Sequence, residues 1–133
     1  RVAVGLDHNR LSLLLAVLHR HGGLQMSDQD VFVNVVSGVK VTETSADLAL
    51  ILALISSFRN RPLPQDLVIF GEVGLAGEIR PVPSGQERIS EAAKHGFKRA
   101  IVPFGNMPKK SIKGMEVFGV KKLSDALDIL GNL

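Results

Sequence analysis

Residues Leu67–Pro103 read LVIFGEVGLAGEIRPVPSGQERISEAAKHGFKRAIVP. This pattern predicts an apolar strand, a hairpin, a helix and a second apolar strand, in that order. Glycines punctuate the predicted hairpin, where permissive backbone is needed, and two prolines separate the hairpin from the helix. Strands that alternate with helices in this way are typical of an α/β protein.

The helix in this stretch carries start and stop signals. Ser84 and Glu87 form a capping-box pattern, in which each side chain accepts a hydrogen bond from the backbone N–H of the other residue. Gly96 is placed to end the helix in a left-handed turn. Thr44 and Asp47 repeat the capping-box pattern ahead of an apolar segment. We therefore predict a second capped helix there.

The flanking sequence continues the alternation of strands and helices. Apolar β-branched runs indicate the strands, and leucine-rich runs that are apolar on more than one face indicate buried helices. We therefore expect one domain over residues 1–133, of the α/β class and α+β type, in which helices cover a mixed sheet. The predicted strands of the flanks cover residues 2–5, 31–36 and 115–120, and the predicted helices cover residues 8–21, 45–58 and 123–130.

The composition excludes several protein classes. Of the 133 residues, 45% are apolar, which suits a packed aliphatic core, and none is cysteine, which excludes disulfides and thiolate metal sites. The strongest apolar runs, Leu11–Leu18 and Leu48–Ile55, are too short to span a bilayer. We expect a cytoplasmic protein with no membrane partner. The chain opens on Arg1 without a methionine, which predicts a domain excised from a larger protein.

Basic residues are concentrated in one part of the chain. The formal net charge is +3, and residues 94–122 hold eight lysines and arginines against a single acid, Glu116. Such a window is either a solvated surface or a contact for a polyanion such as DNA. The chain has no tryptophan or tyrosine, so contacts to phosphates are expected to outweigh base stacking.

No nucleotide-binding or metal-binding pattern is present in the sequence. Gly71, Gly74 and Gly77 have the spacing G-x-x-G-x-x-G, and no Lys-Ser or Lys-Thr pair follows them. Pro81 and Pro83 also separate these glycines from the next helix, whose N-terminus would hold a phosphate. The four histidines do not form an i, i+4 metal-binding pair with a carboxylate partner.

The central stretch resembles the proteolytic domain of Lon proteases, in which a Gly-Glu strand end and a glycine-containing hairpin lead into a helix with the catalytic lysine. The resemblance places Ser45 at the position of the catalytic serine and Gln86 at that of the lysine. A serine nucleophile needs a base that takes its proton, and a carboxamide cannot do so. The resemblance implies a Lon-like, ribosomal protein S5 domain 2-like fold with vestigial positions Ser45 and Gln86 and no catalytic residue.

Motifs along the whole chain indicate a more specific family within this resemblance. The motifs GLDHNRL at 5–11, GVKVTE at 38–43, ADLA at 46–49 and GEVGLAGEIR at 71–80 resemble the C-terminal domain of the bacterial RadA (Sms) family. Members of this family are RecA-like, DNA-dependent ATPases of recombinational repair. The resemblance implies that this domain holds no cofactor, and that ATP, magnesium and zinc belong to the rest of the parent protein.

The resemblance also implies a function. We expect a domain without proteolytic activity that helps to assemble a homo-oligomeric, hexameric ring. It is also expected to bind single- or double-stranded DNA without sequence preference. The ATPase core of the parent would drive branch migration and meet the RecA recombinase. The residues predicted to contact DNA are Arg10, Lys40, Arg59, Lys98, Arg99, Lys109 and Lys110.

Alternatives stay open at this point. For Arg10 and Lys40 the alternative is a structural ion pair, with Asp7 or Glu43 as partner. Two other functions are a residual serine peptidase that uses Ser45 and a purely structural ring-forming module whose lysines only confer solubility.

Overall fold

The computed structural model describes residues 1–26, 28–36 and 41–133. These residues form a mixed α/β structure, which confirms the predicted class. The strands are β1 (Val2–Val4), β2 (Phe32–Asn34), β3 (Leu67–Ile69), β4 (Glu72–Val73), β5 (Ile79–Arg80), β6 (Arg99–Pro103) and β7 (Glu116–Val120). The helices are α1 (His8–Gly22), α2 (Asp47–Phe58), α3 (Gly85–Lys94) and α4 (Leu123–Gly131).

The strands form three small sheets. β1 pairs with β2 in parallel, β4 pairs with β5 as an antiparallel hairpin, and three parallel strands have the order β3-β6-β7. In the described part of the chain no single sheet contains both parallel and antiparallel pairs. The predicted mixture of strand directions therefore occurs in separate sheets. An isolated antiparallel bridge between Glu78 and Lys122 joins the hairpin to the end of the three-stranded sheet.

Helix α1 follows the prediction closely. The Asp7 carboxylate accepts a hydrogen bond from the Arg10 backbone N–H at 3.3 Å, and Gly23 ends the helix with a φ of 69°. An aspartate at the start and a left-handed glycine at the end are typical of helix caps. The buried side chains of the helix are Leu11, Leu14, Leu15, Val17 and Leu18.

Both predicted capping boxes are wrong. A 3₁₀ turn over Thr44–Ala46 precedes α2, and the carboxylate of Asp47 bonds groups outside the helix. Ser84 does occupy the N-cap of α3, but its backbone is left-handed, with a φ of 60° and a ψ of 35°, and its side chain makes no capping bond. A capping hydroxyl reaches the first turn only from an extended N-cap backbone, which Ser84 lacks.

Helices cover both faces of the three-stranded sheet. One core cluster joins Leu67, Ile101 and Val120 of the sheet to buried side chains of α1, α2 and α4. A second cluster joins Ala100 and Val102 of the sheet to Ile89 of α3. Successive residues of β6 therefore point to opposite faces, as the pleat of a strand requires. The described residues include no helix with the length and apolar character that crossing a membrane requires.

The predicted hairpin is confirmed, and it is bonded to two other parts of the chain. The Gly74 N–H donates to the Glu78 carbonyl at 2.9 Å, which closes the turn. Outside the hairpin, the Ile79 N–H donates to the Lys121 carbonyl at 2.9 Å, and the His21 ring lies 3.1 Å from the Leu75 carbonyl. The hairpin is therefore held by α1 and by the segment before α4.

Replacing Gly77 with alanine is expected to destabilise the fold by about 1–3 kcal/mol. Gly77 has a φ of 79°, and a Cβ at this position would lie 2.9 Å from the Cβ of His21. Urea unfolding followed by circular dichroism measures the effect. Gly131→Ala is the matched control because its Cβ would meet no atom within 4 Å, so its stability should stay at or above that of the unmodified chain. Equal stabilities would contradict the prediction.

Candidate functional site

A buried ion pair joins the first two helices to the hairpin. Asp47 is only 1% exposed, and its carboxylate accepts hydrogen bonds from the guanidinium of Arg10, at 3.0 Å from Nε and also from Nη2. The backbone N–H of Val73 donates to the same carboxylate at 3.1 Å. The hydrogen bond and the charge of Asp47 raise the pKa of Arg10, which therefore stays a cation.

Arg10 thus makes a structural ion pair, with Asp47 as the partner rather than Asp7 or Glu43. A cleft of about 520 Å³ lies beside this pair, and the described residues of its lining include three acids, Asp7, Glu43 and Asp47, and one cation, Arg10. This charge balance disfavours a phosphate in the cleft. DNA contact by Arg10 stays a prediction, and Lys40 lies outside the described residues.

The candidate nucleophile Ser45 has a partner that sequence reasoning missed. Its hydroxyl is buried in the turn before α2 and donates a hydrogen bond to Glu43 Oε1 at 2.9 Å. Arg88 Nη2 donates to the same oxygen at 3.2 Å. The hydrogen bond from Ser45, and then that from Arg88, lower the pKa of Glu43. The Glu-x-Ser spacing could have indicated the contact between Ser45 and Glu43. No local pattern indicates Arg88, which is 45 positions from Glu43.

Glu43, the recorded partner of Ser45 in the described part of the chain, is a poor base. A carboxylate whose pKa is lowered holds protons weakly at neutral pH, so it is a poor acceptor for the serine proton. Gln86, which stands at the lysine position of the Lon resemblance, is an exposed residue in the first turn of α3. Arg88 also donates to the Pro83 carbonyl at 3.0 Å, so it fixes the start of α3 against the Ser45 turn.

Replacing Ser45 with alanine is expected to raise the pKa of Glu43 toward its ordinary value of 4.5, because the largest cause of the lowered pKa is removed. NMR titration of the Glu43 carboxyl carbon measures this change. Folding stabilisation from this carboxylate is present above pH 4.5 and is lost as the pH falls through the folded pKa, so in the variant the stabilisation should be smaller and its loss should be complete at a higher pH. Ser90→Ala, an exposed serine on α3, is the control and should leave the titration unchanged.

The predicted DNA-binding cations do not form one surface. Lys98 directly precedes β6, and Lys109 and Lys110 lie between β6 and β7, where Met107 and Ile112 pack on the α3 side of the sheet. Arg59 follows α2 and lines a shallow cleft with residues of α4, which cover the opposite side of the sheet. Lys109 and Lys110 therefore belong to a different face of the domain from Arg59.

The cations also differ in whether they are already paired. Arg99 donates to Asp66 Oδ1 from Nε at 3.2 Å and from Nη2 at 2.9 Å. Within the described ranges no salt bridge involves Arg59, Lys98, Lys109 or Lys110, and all four are exposed. Among the described members of the predicted DNA-binding set, these four side chains therefore have charges that are available to an anion.

One exposed aromatic residue was not expected as part of a site. Phe104 is 54% exposed, and the ammonium group of Lys121 lies 4.6 Å from the centre of its ring. This cation–π pair lies at the carboxyl ends of β6 and β7. Among the residues that the structure describes, no three His, Cys, Asp or Glu side chains gather in a way that could hold a metal ion.

Comparison with known proteins shows close relatives along the whole chain. The chain is 86% identical over 133 residues to the DNA repair protein RadA of Haemophilus influenzae and 80% identical over 133 residues to that of Escherichia coli K12. It is 48% identical over 129 residues to the DNA repair protein RadA of Bacillus subtilis. These alignments cover 100%, 100% and 96% of the chain. The chain spans 28–29% of the length of these curated relatives.

A sequence model of a protein family also matches the chain. Its description is subunit ChlI of Mg-chelatase, and it matches residues 9–106. The matched region begins in α1 and ends with the 3₁₀ turn after β6, so it includes Ser45, the hairpin and α3. Because this region takes in well over half of the 133 residues, the chain belongs to the family described as subunit ChlI of Mg-chelatase.

Proposed function

We propose that the chain is a non-proteolytic, Lon-like domain of a DNA repair ATPase, which binds DNA without sequence preference and takes part in ring assembly. The observation that carries the proposal is the identity of 80–86% over the whole chain to proteins named DNA repair protein RadA. Similarity at this level along every element favours a shared role for the corresponding part of those proteins. The hexameric state, contact with the RecA recombinase through the parent and a cytoplasmic location belong to the same proposal.

The charge distribution supports phosphate contacts as the mode of DNA binding. We assign these contacts first to Lys98, Lys109 and Lys110, which are exposed and take part in no salt bridge with another described residue. Lys109 and Lys110 lie between Met107 and Ile112, which pack on the α3 side of the sheet. Arg10 and Arg99 already pair with Asp47 and Asp66, so contact with DNA would have to compete with those carboxylates. Lysine contacts to phosphates position a duplex or a single strand without reading its sequence.

The experiment that tests this proposal is a salt titration of DNA binding. Fluorescence anisotropy with labelled single-stranded and duplex oligonucleotides should show weak binding. The logarithm of the association constant should fall linearly with the logarithm of the salt concentration. An affinity that does not change with salt would contradict phosphate contacts. A hexamer in light scattering that retains no DNA at low salt would favour the purely structural ring-forming module instead.

A residual serine peptidase is the second candidate, because Ser45 stands in the turn before α2 and donates to a carboxylate. We expect a serine-reactive fluorophosphonate to leave the chain unlabelled, since Glu43 is a poor base and Gln86 cannot titrate. Intact mass spectrometry after incubation measures the labelling. Stoichiometric labelling that is lost in Ser45→Ala would establish the peptidase and overturn the non-proteolytic proposal.

A further inference from the structure

The outer edge of strand β2 has backbone groups to which no other described strand bonds. The Val2 N–H donates to the Val31 carbonyl at 2.8 Å, and the Val35 N–H donates to the Val4 carbonyl at 2.9 Å. In a parallel ladder, alternate residues direct both backbone groups toward the partner strand. The backbone groups of Phe32 and Asn34 therefore point away from β1. In the described part of the chain, β1 is the one strand that pairs with β2.

A groove of about 440 Å³ runs between this edge and α2. Phe32–Asn34 forms one wall, and Ala53, Leu54 and Phe58 are among the residues of the other. Phe32 is 74% exposed and Phe58 is 43% exposed. A strand placed on the free edge would therefore find apolar side chains of α2 beneath it.

The edge lacks the usual protection against strand addition. Natural edge strands commonly carry lysine, proline or a bulge, which prevent pairing with another chain. Phe32, Val33 and Asn34 provide none of these. The outer face of the β1–β2 sheet is also apolar, with Val2 and Val4 about half exposed, whereas parallel sheets are normally covered on both faces.

The charge of the groove indicates the chemistry of its occupant. Among the described residues that line the groove, Asp30 is the one ionisable side chain. Asp28 is exposed two residues earlier. An occupant with a lysine or arginine at the Asp30 end would neutralise this charge, whereas an acidic occupant would be repelled.

The size of the patch argues against a second copy of this chain as the occupant. The exposed parts of Val2, Val4, Phe32 and Val36 amount to roughly 400 Å², while a stable protein–protein interface buries about 800 Å² on each partner. A single extended segment does not need such an area, because main-chain hydrogen bonds to the strand edge supply much of its affinity.

We propose that the free edge of β2 and the groove beside α2 bind an extended peptide segment of another protein, which adds to the sheet as a strand. Alternate apolar side chains of the segment pack on Ala53, Leu54 and Phe58, and a basic side chain pairs with Asp30. The backbone N–H and carbonyl groups of Phe32 and Asn34 bond to the added strand.

The test uses the full chain, labelled with ¹⁵N, and an end-blocked synthetic peptide of sequence Lys-Val-Thr-Val-Lys-Val-Thr. Saturating peptide should slow hydrogen exchange of the Phe32 and Asn34 amides at least about tenfold. The Val33 amide already faces β1 and should change little. Asp30→Lys should weaken binding about threefold to tenfold. Glu87→Lys makes the same charge change on α3 and should leave the affinity unchanged.

Three results would overturn the proposal. The first is unchanged exchange at Phe32 and Asn34 under saturating peptide. The second is an equal loss of affinity in Asp30→Lys and Glu87→Lys, or equal binding of a peptide in which glutamates replace the lysines. The third is protection of the same amides without peptide that grows with protein concentration, together with a dimer in sedimentation, which would assign the edge to a second copy of this chain.

Discussion

Replacing Arg10 with alanine is expected to lower the free energy of unfolding by about 3–5 kcal/mol. The change leaves the Asp47 carboxylate, which is 1% exposed, without its cation and with the Val73 N–H as the remaining recorded donor. A buried charge that loses its partner keeps the full cost of desolvation, so the variant should be far less stable than the loss of a surface charge would predict. Urea unfolding at neutral pH measures the difference.

Arg20→Ala is the matched control for this prediction. Arg20 lies on the same helix, is exposed and takes part in no salt bridge among the described residues, so its loss should cost less than about 1 kcal/mol. The free energy of unfolding of Arg10→Lys should lie between those of Arg10→Ala and Arg20→Ala, because lysine keeps the charge but cannot make the bidentate contact. If Arg10→Ala were as stable as Arg20→Ala, the ion pair would have no structural role.

The second large effect is expected for DNA binding. Replacing Lys98, Lys109 and Lys110 together with alanine should reduce affinity at about 50 mM salt by roughly 10- to 100-fold and reduce the salt slope by roughly 1 for each lysine that contacts a phosphate. The reason is that each contact releases counterions from the nucleic acid. Fluorescence anisotropy over a series of salt concentrations measures both quantities.

Two further triple variants control this experiment. Arginine at the same three positions keeps the charge and should keep the salt slope. Alanine at Arg1, Arg20 and Arg61 removes the same net charge from exposed positions elsewhere and should change affinity by only a few-fold. An equal loss in this second variant would mean that net charge alone drives binding and that the choice of lysines is wrong.

Local sequence patterns predicted helices, strands and turns well where the residues that determine the element lie within one short segment. Gly96, with a φ of 91°, and Gly77 of the hairpin, with a φ of 79°, occur where the backbone is left-handed. The capping boxes failed because other contacts hold the helix starts. The Asn106 side chain bonds the Val82 N–H at 2.8 Å and the Val82 carbonyl at 3.0 Å, so it fixes the approach to α3 without help from the Ser84 hydroxyl.

The candidate site was less predictable because its contacts join distant segments. Arg10 and Asp47 are 37 positions apart, and Glu43 and Arg88 are 45 positions apart. Neither helical nor strand periodicity relates residues at such separations. The charge of each residue was visible in the sequence, but its partner depends on how α1, α2 and α3 meet in the folded chain.

The attachments of the hairpin also bear on how the chain folds. The Gly71 N–H donates to the Ser45 carbonyl at 2.8 Å, and the Leu123 N–H donates to the Gly77 carbonyl at 2.8 Å, so this short β-ribbon bonds to segments far before and after it. Two strands of two residues each are too short to persist alone. We therefore expect the ribbon to form late in folding, at a rate limited by contacts of high sequence separation. Losing either attached segment should then weaken the whole domain cooperatively instead of fraying one end.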